Sequence, residues 1–355
     1  MRKIAFLFIG ISLAFSACKK ENNEPEEGEF DKAALLSNVA DNLILPSIEA
    51  FDQAVGELQV AYSGFASAPD ANGLNLVRNE WREAYLIWQA VKIYDFGPMA
   101  SYGIKAAVAT YPTDTTVILD NISAGTYSLG SAANASAVGL PALDFLLYRV
   151  SALTDFTTNS NYLTYGSDVI TKLKGESEML KTQWSSYRNT FVESTGTEST
   201  SGFSMLVNAF NKDYELAKNA KLGIPIGKQS LGIQLPEYIE AKYSGISFEL
   251  LFESILQLHK LYNGNAFVNN ADGMAFNDYL EHLDRSSLSN TINANFNSIK
   301  SKINAFSGTL EEEMTNNVND LDELYNLIAG NVVYLKTDMT SAFGVLITYQ
   351  DSDGD

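Results

Sequence analysis

Apolar residues recur every three or four positions along most of the chain, which is the spacing of one buried face of a helix. Runs of this kind span residues 74–91, 170–191, 251–262 and 321–346. Such faces pack against one another in antiparallel helical bundles. Strand signals are short and weak by comparison, at residues 117–119 and 233–235. The pattern therefore predicts an all-α fold.

Helix-breaking and turn-forming residues divide this pattern. Pro46 falls inside the first apolar run, so we expect the helix to kink or restart there. Residues 96–139 are rich in Gly, Ala, Ser and Thr, which predicts long loops with short helices. Residues 193–202 have the composition of a flexible surface linker. We therefore predict two four-helix-bundle-like domains, at residues 31–195 and 196–355, with irregular loops between them.

Composition limits the chemistry available to the 355 residues. There are 43 acidic and 24 basic side chains, which gives a formal charge of −19 and no basic stripe for a nucleic-acid partner. The chain has one Cys and two His. This inventory excludes a disulfide framework, a Cys-based zinc site and any site that needs three His ligands.

The N-terminus resembles a bacterial lipoprotein signal. A basic start is followed by an apolar run and by Ser16 and Ala17, directly before Cys18. We expect a signal peptide at residues 1–17, lipidation of Cys18, and an acidic tether at residues 18–30. The lipid on Cys18 would then hold the protein at the bacterial outer membrane, facing the periplasm or the cell surface.

Several common catalytic and metal-binding sequence motifs are incomplete in this chain. Residues 223–229 resemble a phosphate-binding loop but are one residue short and place Gln229 where Ser or Thr binds magnesium. The acidic end of the chain, residues 351–355, stops before a calcium loop is complete. His282 has no second His four residues away, and His259 lies on a separate predicted helix. Neither His completes a zinc-protease motif.

Four segments, taken in order and spacing, resemble the imelysin family, also called the insulin-cleaving membrane protease family. They are residues 76–98 with their Trp-containing helix and Phe-Gly-Pro turn, residues 139–148, residues 221–247, and the ending at 335–355. The resemblance covers nearly all of the mature chain. It implies an all-helical fold of two bundles, an envelope location and a connection with iron uptake.

The second segment departs from the family pattern. Where the family motif reads Gly-x-His-x-x-Glu, this chain has Gly139, Pro141 and Asp144. Proline offers no ligand atom, so a metal or water-activating site on this pair loses its imidazole. We predict no metal site, with Asp144 and Glu240 as weak candidate ligands only.

Pro141 suits the first position of a helix, which would place Asp144 in the first turn. Asp144 then either supports its own helix end or faces a ligand. In the second reading, the loop after Lys221 completes a pocket between the bundles. Its other candidate residues are Arg82, Asp95, Glu240, Tyr243 and Ser247. In the alternative reading Ser244 or Ser247 caps the next helix, and the Trp81 and Trp88 side chains are core.

These observations favour a non-enzymatic binding or accessory protein connected with iron or haem uptake. One alternative is a metal-dependent peptidase that uses Asp144 and Glu240. Another is a structural interaction module of the envelope. The ligand remains open between iron, haem, a peptide and another protein.

Overall fold

Helices form most of residues 28–349, the part of the chain that the computed structural model describes. The first half contains α1 Lys32–Asn38, a π-helical segment Val39–Ile44, α2 Leu45–Ser67, α3 Ala71–Val91, α4 Pro98–Tyr102, α5 Ile104–Ala109, α6 Thr115–Ala124, a 3-10 turn Ala132–Asn134, α7 Gly139–Tyr148, α8 Ala152–Thr158 and α9 Ser160–Val192. No strand occurs in this described part. The all-α prediction is confirmed.

The second half is also built from helices joined by short irregular segments. It contains α10 Gly202–Lys218, a π-helical segment Asn219–Gly223, a 3-10 turn Pro236–Tyr238, α11 Ser247–Asn263, α12 Phe276–His282, α13 Ser286–Ile303, α14 Leu310–Asn316, α15 Val318–Val332, a π-helical segment Val333–Met339 and α16 Thr340–Phe343. Residues 193–201, between α9 and α10, form the predicted break in the helical pattern.

The apolar seams form the core. Leu74, Val77, Trp81, Ala84, Trp88 and Val91 are all buried on α3. The helix restarts near Pro46 as predicted, because α2 begins at Leu45 and Pro46, directly after the π-helical segment. The seam of α15 ends earlier than predicted, because Gly344 adopts a left-handed φ of 66° and Leu346 is exposed.

The two weak strand signals are a helix and a loop in the structure. Residues 117–119 lie in α6, and residues 233–235 lie in an irregular loop. Residues 96–139 contain α4, α5, α6 and one 3-10 turn, as predicted for a loop-rich segment. In the described residues no helix is both long and apolar enough to cross a membrane.

Most helices pack on other helices from the same half of the chain. In the first half α2 packs on α3 and α9, and α7 packs on α9 and α3. In the second half α11 packs on α13, and α13 packs on α15. Helix α3 also packs on α11, and the described residues from Lys32 onward belong to one compact unit. The division near residue 195 stays a prediction.

Candidate functional site

Helix α7 begins where the chain passes against α5. Gly139 has a φ of 76°, and a Cβ at this position would collide with the backbone carbonyl of Val108. Only glycine meets both requirements. The helix begins at Gly139, so the prediction that Pro141 opens it is wrong by two residues. Asp144 consequently lies beyond the first turn.

Asp144 is buried and binds a different segment of the chain. Its side chain is 2% exposed. One oxygen accepts a hydrogen bond from the Tyr243 N–H at 2.9 Å, and the other accepts one from the Ser244 N–H at 3.0 Å. Asp144 therefore does not support its own helix end, but fixes the backbone of the turn that precedes α11.

Burial and hydrogen bonding act in opposite directions on this carboxyl. Burial raises the pKa of Asp144 to about 6, because the charged form loses its water. The hydrogen bonds from Ser244 and Tyr243 oppose the rise, and the nearby charge of Glu240 adds to it. The carboxyl is held in place by the turn rather than left open for a ligand.

Glu240 is the second buried carboxylate of the site. It is 3% exposed and forms an ion pair with Lys221, which is 4% exposed. Its other oxygen accepts a hydrogen bond from the Tyr85 hydroxyl at 3.0 Å. Burial beside the Glu240 charge raises the pKa of Tyr85, so the phenol keeps its proton. Both oxygens of Glu240 are thus occupied.

The turn between Glu240 and α11 explains the remaining motif residues. Ala241 and Gly245 have φ values of 51° and 77°, which reverse the chain. The Ser247 hydroxyl donates to the carbonyl of Glu240, and the Ser244 hydroxyl donates to the carbonyl of Ala241 at 3.1 Å. No side-chain cap forms at the start of α11, so the prediction that a serine caps it is wrong. These hydroxyls close the turn.

Two of the predicted pocket residues are engaged elsewhere. Arg82 pairs with Glu249 at a half-exposed position. Asp95 accepts a hydrogen bond from Lys212 at 3.0 Å. Neither contacts the carboxylate of Asp144 or Glu240 in the described hydrogen bonds and ion pairs. The structure brings together Asp144, Lys221, Glu240, Tyr243 and Ser247 around the turn, whereas Gly139 packs against α5 at the start of α7. Pro141 is buried within α7.

Sequence reasoning missed a second buried ion pair, which joins the end of α3 to α10. Lys92 contacts Asp213 at 2.5 Å and donates to the Ser254 hydroxyl at 3.1 Å. Burial lowers the pKa of Lys92 to about 8, although the Asp213 charge opposes this. The signal in the sequence is Lys92 itself, four residues after Trp88 and so in register with the buried face of α3.

Three other candidates have structural roles. Trp81 donates its indole N–H to the carbonyl of Leu140 at 3.0 Å and, like Trp88, is buried in the core. His259 stacks on Phe296 with ring centroids 4.7 Å apart. Burial lowers the pKa of His259 to about 4, so it stays neutral.

Metal-ligating side chains do not cluster in the part of the chain that the structure describes: no three His, Cys, Asp or Glu residues could hold an ion there. Cys18 and the acidic residues 351–355 lie outside the described residues.

The buried turn is one wall of an open space. Tyr243, Ser244 and Gly245 border a surface depression of about 580 Å³, and α14 forms the opposite side with Glu311 and Glu312. Tyr243 is 41% exposed, and its ring lies against Phe145 at 5.2 Å between centroids. A ligand in this depression would meet the turn that Asp144 holds, but not Asp144 itself.

Comparison with known proteins settles the family. The model of the family described as Imelysin matches residues 44–329, most of the chain. The chain belongs to the imelysin family. The predicted resemblance is confirmed, and Asp144 lies within the matched range.

Solved structures share the imelysin fold. An imelysin-like protein from Psychrobacter arcticum 273-4 superposes with a TM-score of 0.74 at 16% identity, over 91% of this chain and 98% of that one. A protein described as an iron-regulated protein A precursor, from Parabacteroides distasonis ATCC 8503, has a TM-score of 0.73 at 14% identity, over 90% and 97% of the two chains. At these identities the likeness concerns the fold alone.

One curated relative adds a partial match. Iron-regulated protein A of Synechococcus elongatus is 28% identical over 110 residues, which are 30% of this chain. The match covers 28% of the length of that relative. This chain is thus similar in part to a protein named for regulation by iron.

Proposed function

We propose that this protein is a lipid-anchored accessory protein of the bacterial envelope that binds iron, haem or an iron-linked partner without hydrolysing a substrate. One observation carries the proposal: both carboxylates at the altered family motif already have protein partners. Asp144 accepts two backbone N–H groups, and Glu240 is held by Lys221 and Tyr85. Both carboxylates are also almost fully buried, at 2% and 3% exposed, so a water molecule has little access to their oxygens and their use as a general base is disfavoured.

The link with iron rests on relatives. Two imelysin-fold or sequence relatives carry the name iron-regulated protein A. The proposed ligand site is the depression beside Tyr243, which Lys242, Glu311 and Glu312 also line. Glu311 pairs with Lys242 at 3.2 Å and Glu312 accepts hydrogen bonds from Thr309, so the group offered to a ligand is the phenol of Tyr243. A phenol oxygen is a known haem-iron ligand type.

The proposed anchor and location rest on the N-terminal sequence. Cys18 stands directly after the apolar run and two small residues, where a lipoprotein signal is cleaved. Metabolic labelling with a radioactive fatty acid tests this anchor. The proposal predicts a labelled product from the full chain and none from Cys18→Ser, whereas label on both chains would contradict it.

Ligand binding is tested on a soluble chain that begins at Gly28. Titration with ferrous iron, ferric iron and haem, each followed by absorbance and calorimetry, should give saturable binding to at least one of the three. No binding to any of them would reject direct iron or haem binding and leave an iron-linked protein partner.

The peptidase alternative is tested with the same chain. Incubation with an unfolded protein substrate and added zinc, manganese or ferrous ions should give no cleavage above that of a heat-inactivated sample. Cleavage that a chelator abolishes and that Glu240→Gln removes would show that the chain is a metal-dependent peptidase.

A further inference from the structure

Helix α3 and its C-terminal cap residue carry a polar stripe beside the apolar seam. Its four members follow the three-and-four spacing of one helix face: Arg82, Tyr85, Gln89 and Lys92. Three of the four bind residues from the second half of the chain, which are Glu249, Glu240 and Asp213 in that order. The polar stripe therefore faces α10, α11 and the turn before α11.

Gln89 is the exception on this polar stripe. It is fully buried, and its side-chain NH2 group donates to the carbonyl of Tyr85 on the same helix at 3.2 Å. This contact fixes which end of the amide is the oxygen, because a carbonyl accepts only from an N–H group. Gln89 Oε1 has no hydrogen-bond partner among the described residues. A buried acceptor of this kind is seldom left unsatisfied in native proteins.

A donor for this oxygen lies across the contact between α3 and α11. Lys92, one helical turn after Gln89, donates to the buried Ser254 hydroxyl of α11 at 3.1 Å. That hydroxyl accepts the bond and keeps its own proton, for which no acceptor occurs in the part of the chain that the structure describes. Gln89 Oε1 does not bond to Ser254 directly, so a bridging molecule is needed to join them.

The charges around this position favour a neutral bridging molecule. Lys92 and Lys221 are each paired with one carboxylate, from Asp213 and Glu240. Burial lowers the pKa of Lys92 to about 8 and the Lys221 charge adds to the decrease, so a further cation is disfavoured. An anion offers no proton to Gln89 Oε1, which can only accept. Water both accepts and donates, and it is the usual partner of buried polar groups that lack one.

A chain of ion pairs connects this position with the surface. Asp213, the partner of Lys92, also pairs with Lys105 at 3.3 Å, and Lys105 lies 3.8 Å from Asp95. Asp95 pairs in turn with Lys212, whose side chain is 44% exposed. A water molecule that enters or leaves therefore has polar partners along the way.

We propose that Gln89 Oε1 binds an internal water molecule, which accepts a hydrogen bond from the Ser254 hydroxyl and so joins α3 to α11. A bridging water is nearly as favourable in enthalpy as a direct hydrogen bond, so Gln89 contributes to this contact without a direct bond to α11. These residues do not line the depression beside Tyr243. The proposal therefore holds or fails independently of iron or haem binding.

A high-resolution crystal structure of the protein tests the site directly. One water should lie at hydrogen-bond distance, about 2.7–3.2 Å, from both Gln89 Oε1 and Ser254 Oγ. It should be absent from Gln89→Met, whose side chain has a similar length and no strong acceptor. The proposal is overturned by a direct bond from Gln89 Oε1 to a protein donor, by no molecule beside it, by an ion or larger ligand there, or by a water that does not reach Ser254.

A double-mutant cycle tests the link in solution. The loss in the unfolding equilibrium constant for Gln89→Met with Ser254→Ala should differ by at least about threefold from the product of the single losses, because both changes remove partners of one water. Ser177 is another fully buried serine, which donates to Asp52 at 2.8 Å. Gln89→Met with Ser177→Ala should match the product within about twofold.

Losses that multiply equally well for both serines would also overturn the proposal. If Gln89→Met does not fold, the crystal structure of the original chain alone decides the question, since the water and its two partners are visible there.

Discussion

A buried carboxylate can be a ligand, an acid or a structural acceptor, and its partners decide which. Asp144 accepts one N–H on each oxygen, from Tyr243 and Ser244. The sequence identified the position, because Asp144 stands where the family motif has Glu. It did not identify the partners, because backbone N–H groups a hundred residues away leave no pattern in side-chain identity.

Removing this acceptor should cost stability. We expect Asp144→Ala to lower the free energy of unfolding at neutral pH by about 2–4 kcal/mol, since two N–H groups lose their acceptor. Asp120 is an exposed aspartate on α6, and Asp120→Ala should change the value by less than about 0.5 kcal/mol. Denaturant unfolding followed by circular dichroism measures both. Equal values for the two variants would contradict a structural role for Asp144.

The raised pKa of Asp144 makes a prediction about pH. Its pKa rises from 3.8 to about 6 on folding, so the folded protein holds this proton more tightly than the unfolded chain. The contribution of protonated Asp144 to the free energy of unfolding is fully present below about pH 4, and it is lost as pH rises through about 6. The loss should be about 2–3 kcal/mol, at 1.36 kcal/mol for each pKa unit.

Asp144→Asn is the reference that cannot titrate. As pH rises from about 4 to about 6, the unfolding free energy of the original chain should fall relative to that of Asp144→Asn. Urea unfolding at closely spaced pH values measures the difference. A constant difference would show that Asp144 has an ordinary pKa.

At the scale of elements, α7 depends on how closely it approaches α5. Gly139 allows this contact, because a Cβ would strike the carbonyl of Val108 and the φ of 76° disfavours other residues. The sequence placed the helix start at Pro141, two residues after the observed start. The contact with α5 was not visible, since it joins two segments of different helices.

Gly139→Ala tests this approach. It should lower the free energy of unfolding by about 2–4 kcal/mol through backbone strain and overpacking. Gly175 lies inside α9 with no neighbour near a built Cβ, so Gly175→Ala should instead raise stability by about 0.5–1 kcal/mol. Thermal unfolding of both variants gives the comparison. A neutral Gly139→Ala would mean that α5 and α7 are not in close contact.

The π-helical segment after α10 places Lys221 against Glu240. Breaking a buried ion pair leaves one charge without its partner, so Lys221→Met should lower the free energy of unfolding by about 3–5 kcal/mol. The double variant Lys221→Met with Glu240→Gln should lose less than the two single variants together. A double-mutant cycle measures the coupling. Additive losses would show that the pair does not interact.

At the scale of the whole molecule, the apolar spacing was enough to predict the all-α class. The seam residues of α3, including Trp81 and Trp88, are buried as the pattern requires. The polar centre could not be predicted to the same degree. Arg82 and Asp95 were assigned to the pocket but pair with Glu249 and Lys212, because helix periodicity gives the face of a residue and not its partner.

The central claim is that the altered motif holds a turn in place and that any ligand binds beside the turn. Titration of the soluble chain with iron and haem, repeated with Asp144→Asn and Tyr243→Ala, tests it most directly. The account predicts saturable binding that Tyr243→Ala weakens by at least about tenfold and that Asp144→Asn changes by less than about threefold. Binding lost in Asp144→Asn at unchanged folding, and kept in Tyr243→Ala, would place the site at the motif itself and contradict the account.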